Sequence, residues 1–205
     1  MALHKTPIIA NILNGMRKII YYILFICIIV SGCASYKYTY KISLQNPVKS
    51  ERLYYESDTL SISFAFTPNG LSFDLYNKLL DDGIRINWDE VSMSYNGQAK
   101  RIVHKETGLT KLTDLQPPTT IPPKTNLRDI VVSTDDVFFT NNQGRIMMNV
   151  KEIYPTYDYG SKKKRAYILK LKGYRISLFF PFYVRNVYHS KTFEFIISDI
   201  IAKKG

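Results

Sequence analysis

At 205 residues, with 45% hydrophobic and 14% aromatic side chains, the chain can pack one domain besides a leader, which excludes a disordered polymer. Sixteen Tyr and eleven Phe, beside many Ile, Val and Thr, favour pleated sheets over helices, and no period of 20–50 residues suggests a solenoid or propeller. The formal charge of +11 turns attention to anionic partners.

The N-terminus reads as a signal peptide. Arg17 and Lys18 form a charged flank, Ile19–Val30 an apolar run of twelve residues, and Ser31-Gly32 supply small residues before Cys33. That run is short for a bilayer span, which needs ~20 apolar residues. Residues 1–15 are odd for a leader, and Met16 opens a stretch of ordinary signal-peptide proportions, so Met16 is a candidate true start. Val30-Ser31-Gly32-Cys33 resembles the lipobox of bacterial lipoproteins. In that family the cysteine sulfur is joined to diacylglycerol, the bond before it is cut and the new amine is acylated. The resemblance implies a lipidated Cys33, labelled by palmitate, that holds the protein on a membrane. Ala34 follows where an aspartate would signal inner-membrane retention in enteric-type bacteria. It makes the periplasmic face of the outer membrane the expected address in a cell that has one.

On this reading residues 1–32 are the leader, 33–35 the lipidated N-terminus and tether, and 36–205 a single domain. Cys27 leaves with the leader and Cys33 is capped. The mature chain of 173 residues then has no thiol or disulfide, and Cys-based catalysis, redox or metal chemistry is excluded. It keeps 25 basic against 17 acidic residues, formally +8.

Past the anchor the period becomes two. Tyr36, Tyr38, Tyr40, Ile42 and Leu44 alternate with polar residues until Asn46-Pro47. Leu60, Ile62, Phe64 and Phe66 make a second strand, which turns at Pro68-Asn69-Gly70 into Leu71, Phe73 and Leu75. After the Asp81-Asp82-Gly83 turn, Ile84, Ile86 and Trp88 share one face. Val91–Tyr95, Asn96-Gly97 and Lys100–His104 form another hairpin, and the four prolines of Gln116–Thr125 restrict it to an edge or crossover. Val137–Thr140, Ile146–Val150, Tyr167-Leu169-Leu171, Tyr174-Ile176-Leu178-Phe180 and Phe193-Phe195-Ile197 complete about ten strands. The expected fold is all-β: an antiparallel β-sandwich, immunoglobulin-like in architecture, without its disulfide. The segments "ISFAFTPNGLSFDLYNK", "IRINWDEVSMSYNG" and "PPTTIPPKT" resemble a pattern of uncharacterised bacterial envelope lipoproteins. That resemblance implies a small β-sandwich and no enzyme activity, cofactor or catalytic residue.

Candidates for chemistry are few. Trp88-Asp89-Glu90 offers an aromatic and two acids, but neighbours on a strand point to opposite faces, so a buried Trp88 is the plainer expectation. His104 with Ser92 or Ser94 suggests a base and nucleophile, without a Gly-x-Ser-x-Gly elbow. His104 and His189 are the only mature histidines, which argues against zinc, and Asp81-Asp82 and Asp135-Asp136 lack an EF-hand spacing. The remaining signal is Lys162, Lys163, Lys164 and Arg165, read as a Tyr/Gly-rich loop that could contact anionic lipid, envelope polysaccharide or an acidic protein. Nucleic acid is not expected at this address. The reading is a non-catalytic binding or structural module without cofactor or metal. The alternatives are a subunit of a surface or secretion assembly, or an envelope hydrolase.

Overall fold

The computed structural model describes residues 16–18, 21, 35–104 and 112–205, and Val30–Cys33, with its resemblance to a lipobox, lies outside them. The strands are β1 (Tyr36–Asn46), β2 (Tyr54–Glu56), β3 (Leu60–Thr67), β4 (Gly70–Asn77), β5 (Ile84–Ile86), β6 (Ser92–Tyr95), β7 (Gln98–His104), β8 (Thr119–Ile121), β9 (Asn126–Ser133), β10 (Val137–Asn142), β11 (Arg145–Val150), β12 (Arg175–Val184) and β13 (Val187–Lys204). Helix α1 (Lys162–Leu169) and 3-10 turns at Trp88–Glu90 and Thr134–Asp136 join them. Among the described residues no helix is long and apolar enough to cross a membrane.

The expected all-β, antiparallel class holds. A single sheet runs β1-β13-β12-β6-β7-β9-β4-β3-β2, with β5 and β8 branching from β12, and curls until it is nearly a closed barrel. Strand β7 is the corner: Gln98–Arg101 pair with β6, and Ile102–His104 pair with β9. Two halves therefore face each other as in a sandwich, although one sheet supplies both. Closure is incomplete between β1 and β3. Bonds from Leu44 N–H to the Ser50 carbonyl and from Tyr38 N–H to the Thr156 carbonyl bridge its ends. Between them lies an open groove of about 870 Å³ floored by Tyr40, Ile42, Leu53 and Phe66.

The inward positions fill the space between the halves with rings. Phe64 of β3 meets Phe193 and Phe195 of β13 at 4.8 and 5.0 Å, and Phe73 of β4 meets Phe180 and Trp88 at 5.9 and 6.2 Å. Each such side chain, fully buried, contributes ~1.5–3 kcal/mol of transfer free energy, so the aromatic layer, together with aliphatic neighbours such as Leu71, Leu75, Ile84 and Leu178, holds the halves together. Ile84, Ile86 and Trp88 are buried as their alternation predicts, although Trp88 sits in a 3-10 turn rather than a strand. The proline-rich crossover also behaves as read, since its strand β8 pairs only with β5.

One expected strand is a helix. Tyr167-Leu169-Leu171 alternates, but three positions are too few to separate period 2 from 3.6. Tyr167 and Leu169 are exposed, and Ile168 and Leu171 are buried. The Ser161 hydroxyl accepts the Lys164 N–H and starts the helix, and Lys162–Arg165 are its first turn rather than a loop. The register also shows where β1 ends up. Arg175, first in β12, pairs with Ile196, which pairs with Ser43, so Tyr36–Ile42 and Ile197–Lys204 run beyond the barrel as a two-stranded ribbon.

Candidate functional site

Two polar clusters stand out, and the first is buried. His104, 4% exposed, lies with its ring 4.2 Å from the Trp88 indole and nearly parallel to it, and its Nδ1 is 2.6 Å from Asp129 Oδ2. Gln116 locks the arrangement: its carbonyl accepts the His104 backbone N–H, its amide donates to the Ile102 carbonyl, and its own N–H donates to Asp89. Asp89 also accepts from Arg101 at 2.8 Å, whereas Glu90 accepts from Asn87 and Tyr183. The two acids thus serve different partners and do not converge. A cavity of about 210 Å³, lined largely by Val103, Ile130, Val132, Met148 and Val150, touches the far side of His104.

An imidazole and carboxylate so placed can exchange a proton, but the nucleophile considered for them is elsewhere. The register sets Ser92 opposite Arg101, three residues before His104 and about 10 Å away along β7. No hydroxyl of a described residue bonds to the ring. The bonds of this cluster instead tie β7, β9 and the proline crossover together beneath Trp88. Asp129 and Gln116 were missed in the sequence. Asp129 had a signal, being an acid at the inward parity of Leu127, Val131 and Ser133. Asp82 pairs with Arg185, Asp135 with Lys100, and no group of three or more metal-ligating side chains gathers among the described residues.

The second cluster surrounds the start of β1. Asp158 is buried, and its carboxylate accepts from Tyr36 N–H, Gly160 N–H, the Tyr38 hydroxyl and Arg165 Nε, at 3.2, 2.9, 2.8 and 2.8 Å. Burial works to raise its pKa. The Arg165 guanidinium, the Gly160 N–H and the Tyr38 hydroxyl outweigh that and hold the carboxyl well below the usual range. Arg165 also lies 4.0 Å over the Tyr36 ring. Of the four basic residues singled out in the sequence, Arg165 is therefore a clamp between α1 and β1. Lys162, Lys163 and Lys164 remain at the surface.

Pairing brings more lysines to them. Tyr36 stands opposite Lys204 and Lys37 opposite Lys203, and Gly205 N–H donates to the Ser35 carbonyl. Lys37, Lys162, Lys163, Lys164, Lys203 and Lys204 thus collect around Tyr36, and no salt bridge of the described residues engages them. Lys37 and Lys164 rest at 5.9 and 5.8 Å over the stacked rings of Tyr157 and Tyr159.

What fold and clusters define is a class: an all-β, nearly closed antiparallel barrel with a basic end at its first strand. No protein family matches this chain, and comparisons with curated proteins and with solved structures return no match.

Proposed function

We propose that this protein is a lipid-anchored, non-catalytic binding or structural module of the bacterial cell envelope, joined to its membrane through Cys33. Its six-lysine end lies against anionic headgroups. The observation that carries the reading is the convergence of Lys37, Lys162–Lys164 and Lys203–Lys204 on Tyr36, three residues after the lipobox cysteine. A lipid there places these ammonium groups at the bilayer surface. Each contributes about 1 kcal/mol within a Debye length of about 8 Å at physiological ionic strength. The outer membrane is the proposed address, on the strength of Ala34.

Two measurements test it. Replacing Cys33 with Ser should abolish palmitate labelling and leave the precursor uncleaved, and unchanged labelling would end the lipoprotein reading. A soluble form beginning at Ser35 should bind vesicles containing phosphatidylglycerol and bind them more weakly as salt rises. Changing the six lysines to Ser should weaken that binding and remove its salt dependence with little effect on Tm, because exposed side chains carry little folding energy. Equal binding by the variant would remove the basic end from the account.

A further inference from the structure

The hairpin β10–β11 stands apart from the barrel sheet. Among the described residues its strands pair with each other and with no other strand, from Val137 opposite Val150 to Asn142 opposite Arg145. At its root Val137 is buried, Lys151 N–H bonds the Asp136 carbonyl, and Asn69 bonds the Val150 carbonyl. Beyond the root its large apolar side chains are open: Phe138 is 50% exposed, Phe139 39%, Met147 50% and Met148 41%. A lone two-stranded ribbon is marginal in water, so four such side chains on one call for a covering surface.

Phe139 pairs directly with Met148 on the ribbon face that also carries Val137 and Val150, and there Met148 and Val150 line the cavity against Ile130 and Val132; Phe138 and Met147 lie on the opposite face. Two observations point to what covers that face. The charges suit an anionic bilayer interface, because Val137–Lys151 contains Arg145 at the tip and Lys151 at the root and no acid. The location agrees as well. The arm is rooted beside the β3–β4 turn, where Ile153 N–H bonds the Pro68 carbonyl. From there the chain runs directly to Thr156 and Asp158 against Tyr38 and Tyr36. Following the register from Arg175 through Tyr95, Gln98 and Ser133 to Leu71 puts that turn at the barrel end from which the β1 ribbon emerges.

We infer that β10–β11 is a membrane-contacting arm: Phe138 and Met147, on the face turned away from the cavity, enter the headgroup–acyl boundary of an anionic bilayer, and Arg145 on the same face meets its phosphates. This rests on the membrane reading above, but it requires neither a lipid on Cys33 nor the lysine contacts. The chain's single tryptophan, Trp88, is fully buried, so its emission is a background that bromine in the lipid does not reach. The test places a reporter on the arm of the full chain, Phe138→Trp or Met147→Trp, reconstituted in phosphatidylglycerol vesicles whose acyl chains are brominated. Contact with bromine quenches indole emission at short range. Both variants should be quenched and the parent should not, and the quenching should persist at high salt, where the lysine contacts fade. Quenching that survives the six-lysine substitution keeps the arm while removing the basic end. Variants no more quenched than the parent overturn the arm, even where salt-sensitive binding persists. Emission that shifts blue with protein concentration in lipid-free detergent would assign the arm to a second copy of the chain and would equally overturn it. As a second variant, Phe138→Ser with Met147→Ser should weaken vesicle binding about tenfold or more, with near-parent thermal unfolding because both side chains are already exposed.

Discussion

Replacing Trp88 with Ala tests whether the indole is the keystone between the two halves. The side chain is fully buried, stacks on His104 at 4.2 Å, touches Phe73, and donates Nε1–H to the Thr119 hydroxyl at 2.8 Å. Loss of transfer energy plus the cavity left behind costs ~3–5 kcal/mol for a buried Trp cut to Ala. The hydrogen bond, ~1 kcal/mol, and the ring contacts, ~0.5–1.5 kcal/mol, place this site toward the upper end. For a domain of this size 1 kcal/mol lowers Tm by roughly 2–4 °C, so a loss near 4 kcal/mol means a fall of about 8–16 °C. Urea unfolding followed by far-ultraviolet circular dichroism gives the free energy, since the variant has no tryptophan to report. Trp88→Phe should recover more than half of the loss, because it keeps a ring against His104 and forfeits mainly the Thr119 bond. A cost below about 1.5 kcal/mol for Trp88→Ala would refute the reasoning.

Other perturbations probe the frame around it. Asn77→Ala should cost about 2–4 kcal/mol in the same unfolding assay, because the buried amide donates to the carbonyls of Asp82, Ile121 and Pro122 and accepts from Leu79 N–H. Gly70→Ala should lower Tm measurably, since its new Cβ would lie 2.7 Å from Val132 Cγ1 and 2.9 Å from the Val131 carbonyl. Asp158 titrates below its unfolded value of ~3.9, so its stabilisation is complete above that pH and disappears as pH falls toward the folded pKa. The Tm gap between the parent and Asp158→Asn should therefore be widest near neutrality and shrink below about pH 4, and a gap that widens in acid would contradict the assignment.

Much of the sheet was legible because its strands alternate cleanly. Leu60–Phe66 and its return strand, Ile84-Ile86-Trp88 and Phe193-Phe195-Ile197 declare their faces through apolar residues at every second position. Strand β9 was not, because Asp129 occupies an inward place that alternation reserves for an apolar side chain, and the pairing with His104, 25 residues away, that helps to hold it there leaves no local signal. Helix α1 was hidden by a three-residue alternation. The basic end was half visible: Lys162–Lys164 are contiguous, but Lys37 and Lys203 meet only through the pairing of the first strand with the last. Long-range pairing of that kind leaves no local periodicity to read. The Phe and Met residues of β10 and β11 come in adjacent pairs, one member to each face, and their exposure follows from the absence, among the described residues, of a third strand beside them.

The antiparallel union of β1 and β13 decides how the domain bears force. A pull on Ser35 along the strand cannot peel one rung at a time, because ten paired positions from Tyr36–Lys204 to Asn46–Glu194 share the load in shear. The four bonds into Asp158 sit at the point of entry, like a cleat before a rope meets its block. A pull across the ribbon would open it from Lys204 inward instead. The domain is therefore mechanically anisotropic, stiff to tension along its first strand and soft to peeling of its last.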